Sequence, residues 1–186
     1  MEQLAKIRKF LKENSSSKAK ESWRRFVSNS EKCYGVYLAK VNKLVPKYSS
    51  GGFKLLAELW KSGYLEERIL AAKILGRICK KDPERALKLV RRFLNDISNW
   101  AVCDTLATQG IREIAKIKQR EILKLARELI KSANPWKRRF ALVMLTNFKK
   151  EKALREEIEK IAKQAENEKE EIVKKAAKWL KRSLPQ

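Results

Sequence analysis

The sequence predicts an all-α fold, a right-handed α-solenoid of helix pairs with a concave basic face, as one domain over residues 1–186. Three observations predict it. Apolar residues recur at helical spacing nearly end to end, and no stretch alternates with period two between turn signals. The breaks between apolar stripes are short and carry helix-capping residues. The five tryptophans, at 23, 60, 100, 136 and 179, stand 37, 40, 36 and 43 residues apart. A helix pair recurring near 40 residues is the period of HEAT-like and armadillo arrays.

The elements follow in order. MEQLAKIRKFLKE at 1–13 reads as a charged amphipathic helix with neither the apolar core nor the cleavage site of a signal peptide. The N-terminal helices over 1–30 follow the repeat pattern less closely. Leu55, Leu56, Leu59 and Trp60 form one apolar stripe, and Ile69, Leu70, Ala72, Ile74, Leu75 and Ile78 a fuller one, as a helix covered on several sides requires. Leu87, Val90 and Leu94 continue the pattern, then Ile122, Leu125, Ala126 and Leu129, then Phe140, Val143, Met144 and Leu145. Ile172, Val173, Ala176 and Leu180 close it. Between them stand SSS at 15–17, SSGG at 49–52, SG at 62–63, DP at 82–83, SN at 98–99 and NP at 134–135. Ser, Asp and Asn side chains accept from the first free N–H groups of a helix, and Pro suits its first position. Helices of about 10–17 residues joined by short turns make antiparallel neighbours.

Charge narrows the partner. Lys and Arg number 45 against 22 Asp and Glu, a formal net charge of +23. Such a surplus repels itself unless a polyanion or a membrane uses it. Nucleic acid is the leading partner, double-stranded DNA above all, since a concave basic face suits a duplex backbone. An anionic membrane surface is second. No apolar run approaches the ~20 residues of a spanning helix.

With no histidine, and with Cys33, Cys79 and Cys103 far apart, His-dependent triads, HExxH and zinc-finger spacings are excluded. Gly-rich phosphate loops are absent too, so no metal and no small-molecule cofactor is expected. Free, scattered cysteines fit a reducing, cytoplasmic setting. A monomer is the default state.

Candidate chemistry gathers at helix starts. Trp100 follows the cap pair Ser98-Asn99, and Trp136 follows Asn134-Pro135. Asp104 lies four residues after Trp100, on the same helix face, and Arg139 three after Trp136. Trp179 stands at the rim of the last stripe. Taken singly, Trp100 suits a core position, Asp104 an ordinary ion pair and Arg139 a solvated face, and Trp179 could cap the array. Cys103 reads as a small buried filler.

Taken together they match a known pattern. NWAVCD, NPWKRRFALVML and VKKAAKWLKRSL, in this order and spacing, resemble the DNA alkylation-repair glycosylases built of HEAT-like repeats (the AlkD type). CYGVYLAKVNKLV and LAELWKSGYLEERILAAKIL resemble that family's preceding helices, and the likeness spans roughly residues 30–182. It implies cleavage of the N-glycosidic bond of purines alkylated at N3 or N7, which carry a positive charge. Trp100, Asp104, Arg139 and Trp179 are the matching site positions.

Under that reading Asp104 stabilises the oxocarbenium character of the sugar. Trp100 and Trp179 offer π-faces worth about 0.5–2 kcal/mol each to a cationic nucleotide. Arg139 clamps a backbone phosphate, with Trp136, Lys137 and Arg138 beside it on the DNA. Lys80-Lys81, Arg91-Arg92, Lys149-Lys150 and Lys174-Lys175 are further phosphate candidates. Whether the base is flipped stays open. The alternatives are a non-catalytic HEAT-repeat nucleic-acid binder and a scaffold for acidic proteins.

Overall fold

The computed structural model describes residues 2–25, 27–28 and 31–184. They hold twelve α-helices and no strand: α1 (Glu2–Glu13), α2 (Ser17–Arg24), α3 (Leu38–Tyr48), α4 (Gly52–Lys61), α5 (Leu65–Ile78), α6 (Pro83–Phe93), α7 (Trp100–Thr105), α8 (Arg112–Ile117), α9 (Gln119–Leu129), α10 (Pro135–Leu145), α11 (Arg155–Lys163) and α12 (Glu171–Ser183). Short 3-10 turns follow α3, α5 and α10 and precede α11.

Local chemistry starts the helices where the sequence places them. Asp82 Oδ1 accepts from the Arg85 N–H at 3.0 Å, with Pro83 in the first turn of α6. Asn99 caps α7 through the Val102 N–H at 2.9 Å, and Asn134 caps α10 through the Trp136 N–H at 2.8 Å. Ser16 caps α2 through the Ala19 N–H. Each such cap contributes about 1 kcal/mol.

Helices α3, α5, α7, α10 and α12 pack in succession as a row. Helix α5 packs against α3, α4 and α7, and α10 packs against α7, α9 and α12, so both are covered on several sides. Ten of the fourteen residues of α5 are buried, as is every residue of α10 from Arg139 to Leu145. Helices α6 and α9 instead bury a single stripe, Ala86, Val90 and Phe93 in one and Ile122, Leu123, Leu125, Ala126 and Leu129 in the other.

Side-chain bonds between successive helix pairs recur at a similar sequence offset. Trp60 Nε1 donates to Asp96 (3.1 Å), Lys73 Nζ to Gln109 (2.7 Å), Arg91 Nη1 to Glu128 (2.8 Å) and Asn147 Nδ2 to the Ala107 carbonyl (2.8 Å), with partners 36–40 residues apart. The pairs Cys103–Trp136, Asp104–Arg139 and Ala107–Asn147 climb together along both helical runs, so α7 and α10 run parallel, start beside start.

The tryptophans do not mark one repeated position. Trp23 and Trp60 sit near the ends of α2 and α4, whereas Trp100 and Trp136 open α7 and α10. Trp60 is 2% exposed, stacked on Phe93 with ring centres 4.0 Å apart. It is a core residue tying α4 to α6.

No cap residue announces the turn at Lys118 between α8 and α9, and the run from Trp100 to Ile117 is not a regular helix. Residues Leu106–Gly110 widen into a π turn, in which the Ile111 N–H donates back to the Leu106 carbonyl. Helix α5 crosses this turn at Gly76. A Cβ there would stand 2.2 Å from the Gln109 carbonyl oxygen and 3.1 Å from its carbon. Gly76→Ala is therefore expected to push α5 off the π turn at a cost of about 3 kcal/mol. Thermal unfolding followed by circular dichroism checks it: the midpoint should fall by roughly 6–12 °C. An unchanged midpoint would mean that α5 and the π turn are not in close backbone contact.

Candidate functional site

The first turns of α7, α10 and α12 meet at one place, and Asp104 stands there. Its neighbour Cys103 is fully buried, and burial holds that thiol well above the ordinary cysteine range. It is the inert filler that the sequence suggested. Asp104 itself keeps 16% of its side chain exposed. The π turn begins two residues later and lets the same run touch α10 at Asp104 and α5 at Gln109. Turns of this kind recur at functional sites.

Arg139 of α10 grips the carboxylate with two parallel bonds, Nε to Oδ1 at 2.9 Å and Nη2 to Oδ2 at 2.6 Å. Its Nη1 donates to the Ile172 carbonyl in the first turn of α12 at 2.6 Å. Fork-to-fork geometry fixes both groups in orientation as well as in charge. The expectation that Arg139 clamps a phosphate meets this arrangement: its guanidinium is 9% exposed and already committed on all three nitrogens. It holds the Asp104 carboxylate in one orientation. Burial pushes the Asp104 carboxyl above its ordinary range, and the Arg139 bonds pull the other way without cancelling it.

Trp100 is the open member of the set, 38% exposed at the start of α7, one turn from Asp104. Trp136 is half-buried against the core, with its carbonyl beside the Cys103 thiol. Trp179 is also half-buried against the core. It lies seven residues beyond Ile172, about 10 Å further along α12. The structure thus joins Asp104 and Arg139 directly, with Trp100 one turn before Asp104 on α7.

The two basic residues beside Trp136 divide. Lys137 reaches outward to the Asn95 side chain at 2.8 Å. Arg138, expected to lie on the DNA, has its partners within the protein. It bonds Glu168 through Nε (2.6 Å) and Nη2 (3.0 Å), and Nη1 donates to the carbonyls of Ser132 and Ala133. That guanidinium holds the start of α10 to the turn before α12. It also keeps the Glu168 carboxyl down at about 2. A carboxyl depressed below its unfolded value adds stability above that value and loses it as the pH falls. Arg138→Ala should therefore lower the unfolding midpoint at pH 7, and the gap from wild type should close between pH 4.5 and 2. A gap independent of pH, followed by calorimetry, would remove Glu168 from this role. Arg91 and Lys174 are likewise paired, with Glu128 and Glu171.

The sequence did not reveal Glu66 and Glu67, which are fully buried. Glu66 accepts from the backbone N–H groups of Tyr34, Gly35 and Val36 at 2.8–3.0 Å. Glu67 takes the Arg8 guanidinium and the Tyr34 hydroxyl. Two acids in the first turn of a helix look like ordinary dipole partners, and nothing local marks them as buried.

Fold and site define the class: an all-helical protein of strong positive charge with an oriented carboxylate beside an exposed tryptophan. The family model described as DNA alkylation repair enzyme matches residues 7–184. The chain belongs to that family, an enzyme family of DNA repair, and DNA is the implied substrate or partner. No curated protein matches it. No described helix is long and apolar enough to cross a membrane, and no three His, Cys, Asp or Glu side chains among the described residues are grouped to hold a metal.

Proposed function

We propose that the protein is a monofunctional DNA glycosylase that hydrolyses the N-glycosidic bond of cationic N3- and N7-alkylated purines in duplex DNA, as a monomer without a cofactor. The observation that carries this is the Asp104 carboxylate, held in one orientation by Arg139 yet still open to solvent, one turn from exposed Trp100. The parallel helix starts and the recurring offset support the solenoid, whose concave face would carry the strand.

The chemistry is short. The bond between the sugar C1′ and the purine nitrogen breaks, its electron pair neutralises the alkylated base, and positive charge grows on the sugar. Asp104 faces that charge and lowers the transition state more than the ground state. A water oxygen then bonds to C1′ and sheds its proton to Asp104 or to solvent. Trp100, and Trp179 if the strand reaches it, pack π-faces on the cationic nucleotide. Lys137 and Trp136 lie beside the strand.

The test is incubation with duplex DNA carrying N7-methylguanine, with free base measured by chromatography. Base release leaving alkali-labile sites but intact strands supports the proposal. The bidentate Arg139 lock is the one feature that favours a binder without chemistry, and duplex binding with no base released would select that reading.

A further inference from the structure

A second strongly cationic place lies on the same helical run, away from the ion pair. A cleft of about 430 Å³ opens between α3, α5 and the π turn, with Asn42, Lys73, Arg77, Gln109, Arg112 and Glu113 in its lining. Its charges are unbalanced. Lys73 donates to the Gln109 side chain at 2.7 Å and Arg112 Nε to the Thr108 carbonyl at 3.2 Å. Neither they nor Arg77 pair with a carboxylate among the described residues. That sets them apart from Lys80, Arg91, Lys118, Arg127 and Arg138, each of which holds an acid.

Glu113, the one acid in the lining, is already neutralised from two sides, by Lys80 and Lys116, both at 2.7 Å. Three cations and two neutral amides therefore face a cleft whose one carboxylate is already paired with other cations. Burial without a counter-charge also holds the Lys73 ammonium below the ordinary lysine range, and an anion entering the cleft would relieve this.

We propose that this cleft is a phosphate subsite that receives a backbone phosphate of the DNA strand lying over Asp104. The proposal rests on the DNA reading above. Two arginines supply planar forks and Lys73 a point charge, the donor set that suits a tetrahedral phosphate. The position fits a strand: Gln109 follows Asp104 by five residues on one helical run, about 7 Å along the axis. That is the rise of about two nucleotides at ~3.4 Å each. Gly76 lies in the lining and lets α5 and the π turn meet in close backbone contact, which brings Lys73 and Arg77 beside Gln109 and Arg112.

The experiment uses the full chain and an undamaged 20-base-pair duplex, with affinity read by fluorescence anisotropy over a salt series. The triple variant Lys73→Ala, Arg77→Ala, Arg112→Ala should bind roughly tenfold more weakly near 0.1 M salt, and its log–log salt slope should flatten by about one unit. The double variant Arg77→Ala, Arg112→Ala changes only exposed side chains and should show part of both effects even if the triple folds poorly. Lys124→Ala, on the exposed face of α9, should match wild type.

Wild-type binding and base release, with triple and double variants of unchanged affinity and slope, would overturn the subsite and leave the glycosylase reading standing. Failure of wild type to bind duplex at all would remove the DNA reading and the subsite with it. Calorimetric titration with inorganic phosphate separates the sources. Weak, millimolar phosphate binding supports a strand subsite, whereas micromolar binding with duplex affinity untouched by the triple variant assigns the cleft to a free anion and overturns it.

Discussion

Asp104→Asn is expected to lower base release from N7-methylguanine DNA by about 10²–10³-fold while leaving duplex affinity within about twofold. The substitution keeps the shape of the side chain and removes the charge that in the proposed reaction acts on the sugar as the bond breaks; it also sets an NH₂ against one of the two Arg139 donors. The pH profile carries a second signature. Burial raises the Asp104 carboxyl above 3.8, so the acid limb of wild-type activity should lie above that pH, where the carboxylate takes up a proton. The residual activity of the variant should lack this limb.

Stability follows the same linkage with the opposite sign from Glu168. A carboxyl raised in the folded state holds its proton longer than in the unfolded chain. Wild type should therefore lose stability relative to the variant as the pH rises from 3.8 through the raised value. Base release equal to wild type in Asp104→Asn would end the electrostatic mechanism.

The second large effect is on folding. Glu66→Ala should destabilise the protein by about 4 kcal/mol, because it strands three buried backbone donors that one carboxylate satisfied. The midpoint of thermal unfolding should drop by roughly 8–16 °C. Glu66→Gln should cost less: its oxygen can still serve Gly35 and Val36, while its NH₂ opposes the Tyr34 N–H.

The anchored turn has little freedom of its own. Gly35 has φ +85°, and a Cβ there would stand 2.8 Å from both Lys20 Cβ and the Ser16 carbonyl oxygen. From this turn Glu31 reaches the Ser98 hydroxyl, next to the cap of α7. Loosening it should therefore also disturb Trp100. A Glu66→Ala variant as stable as wild type would show that water replaces the carboxylate at no cost.

Much of the helical frame was legible. The stripes Leu55 to Trp60, Ile69 to Ile78 and Phe140 to Leu145 each fall in one helix, and the caps at Asp82, Asn99 and Asn134 stand where the short breaks put them. The break at Lys118 and the π turn were not legible. Neither carries a cap motif, and both are set by how α5 and the rest of its row press on residues 106–118. The even spacing of the tryptophans suggested a repeated position, and Trp60 shows why it misled: a large ring suits a core as well as a helix start.

At the site, the pattern of types and spacings picked out Trp100, Asp104 and Arg139 as one group. It did not show that Arg139 faces Asp104, that Arg138 belongs to Glu168, or that Lys73, Arg77 and Arg112 share an unanswered cleft.

What the amino-acid order determined alone is local. A cap meets its N–H two or three residues on, and an apolar stripe closes within two turns, so both are written in neighbouring letters. Ion pairs three or four residues apart are local in the same sense, but which of the other basic side chains meet an acid was decided only by packing. For Arg91, Arg127, Arg138 and Arg139 the acid sits 30–37 residues away in the chain. A charge becomes structural or available according to what its neighbour in space brings within 3 Å.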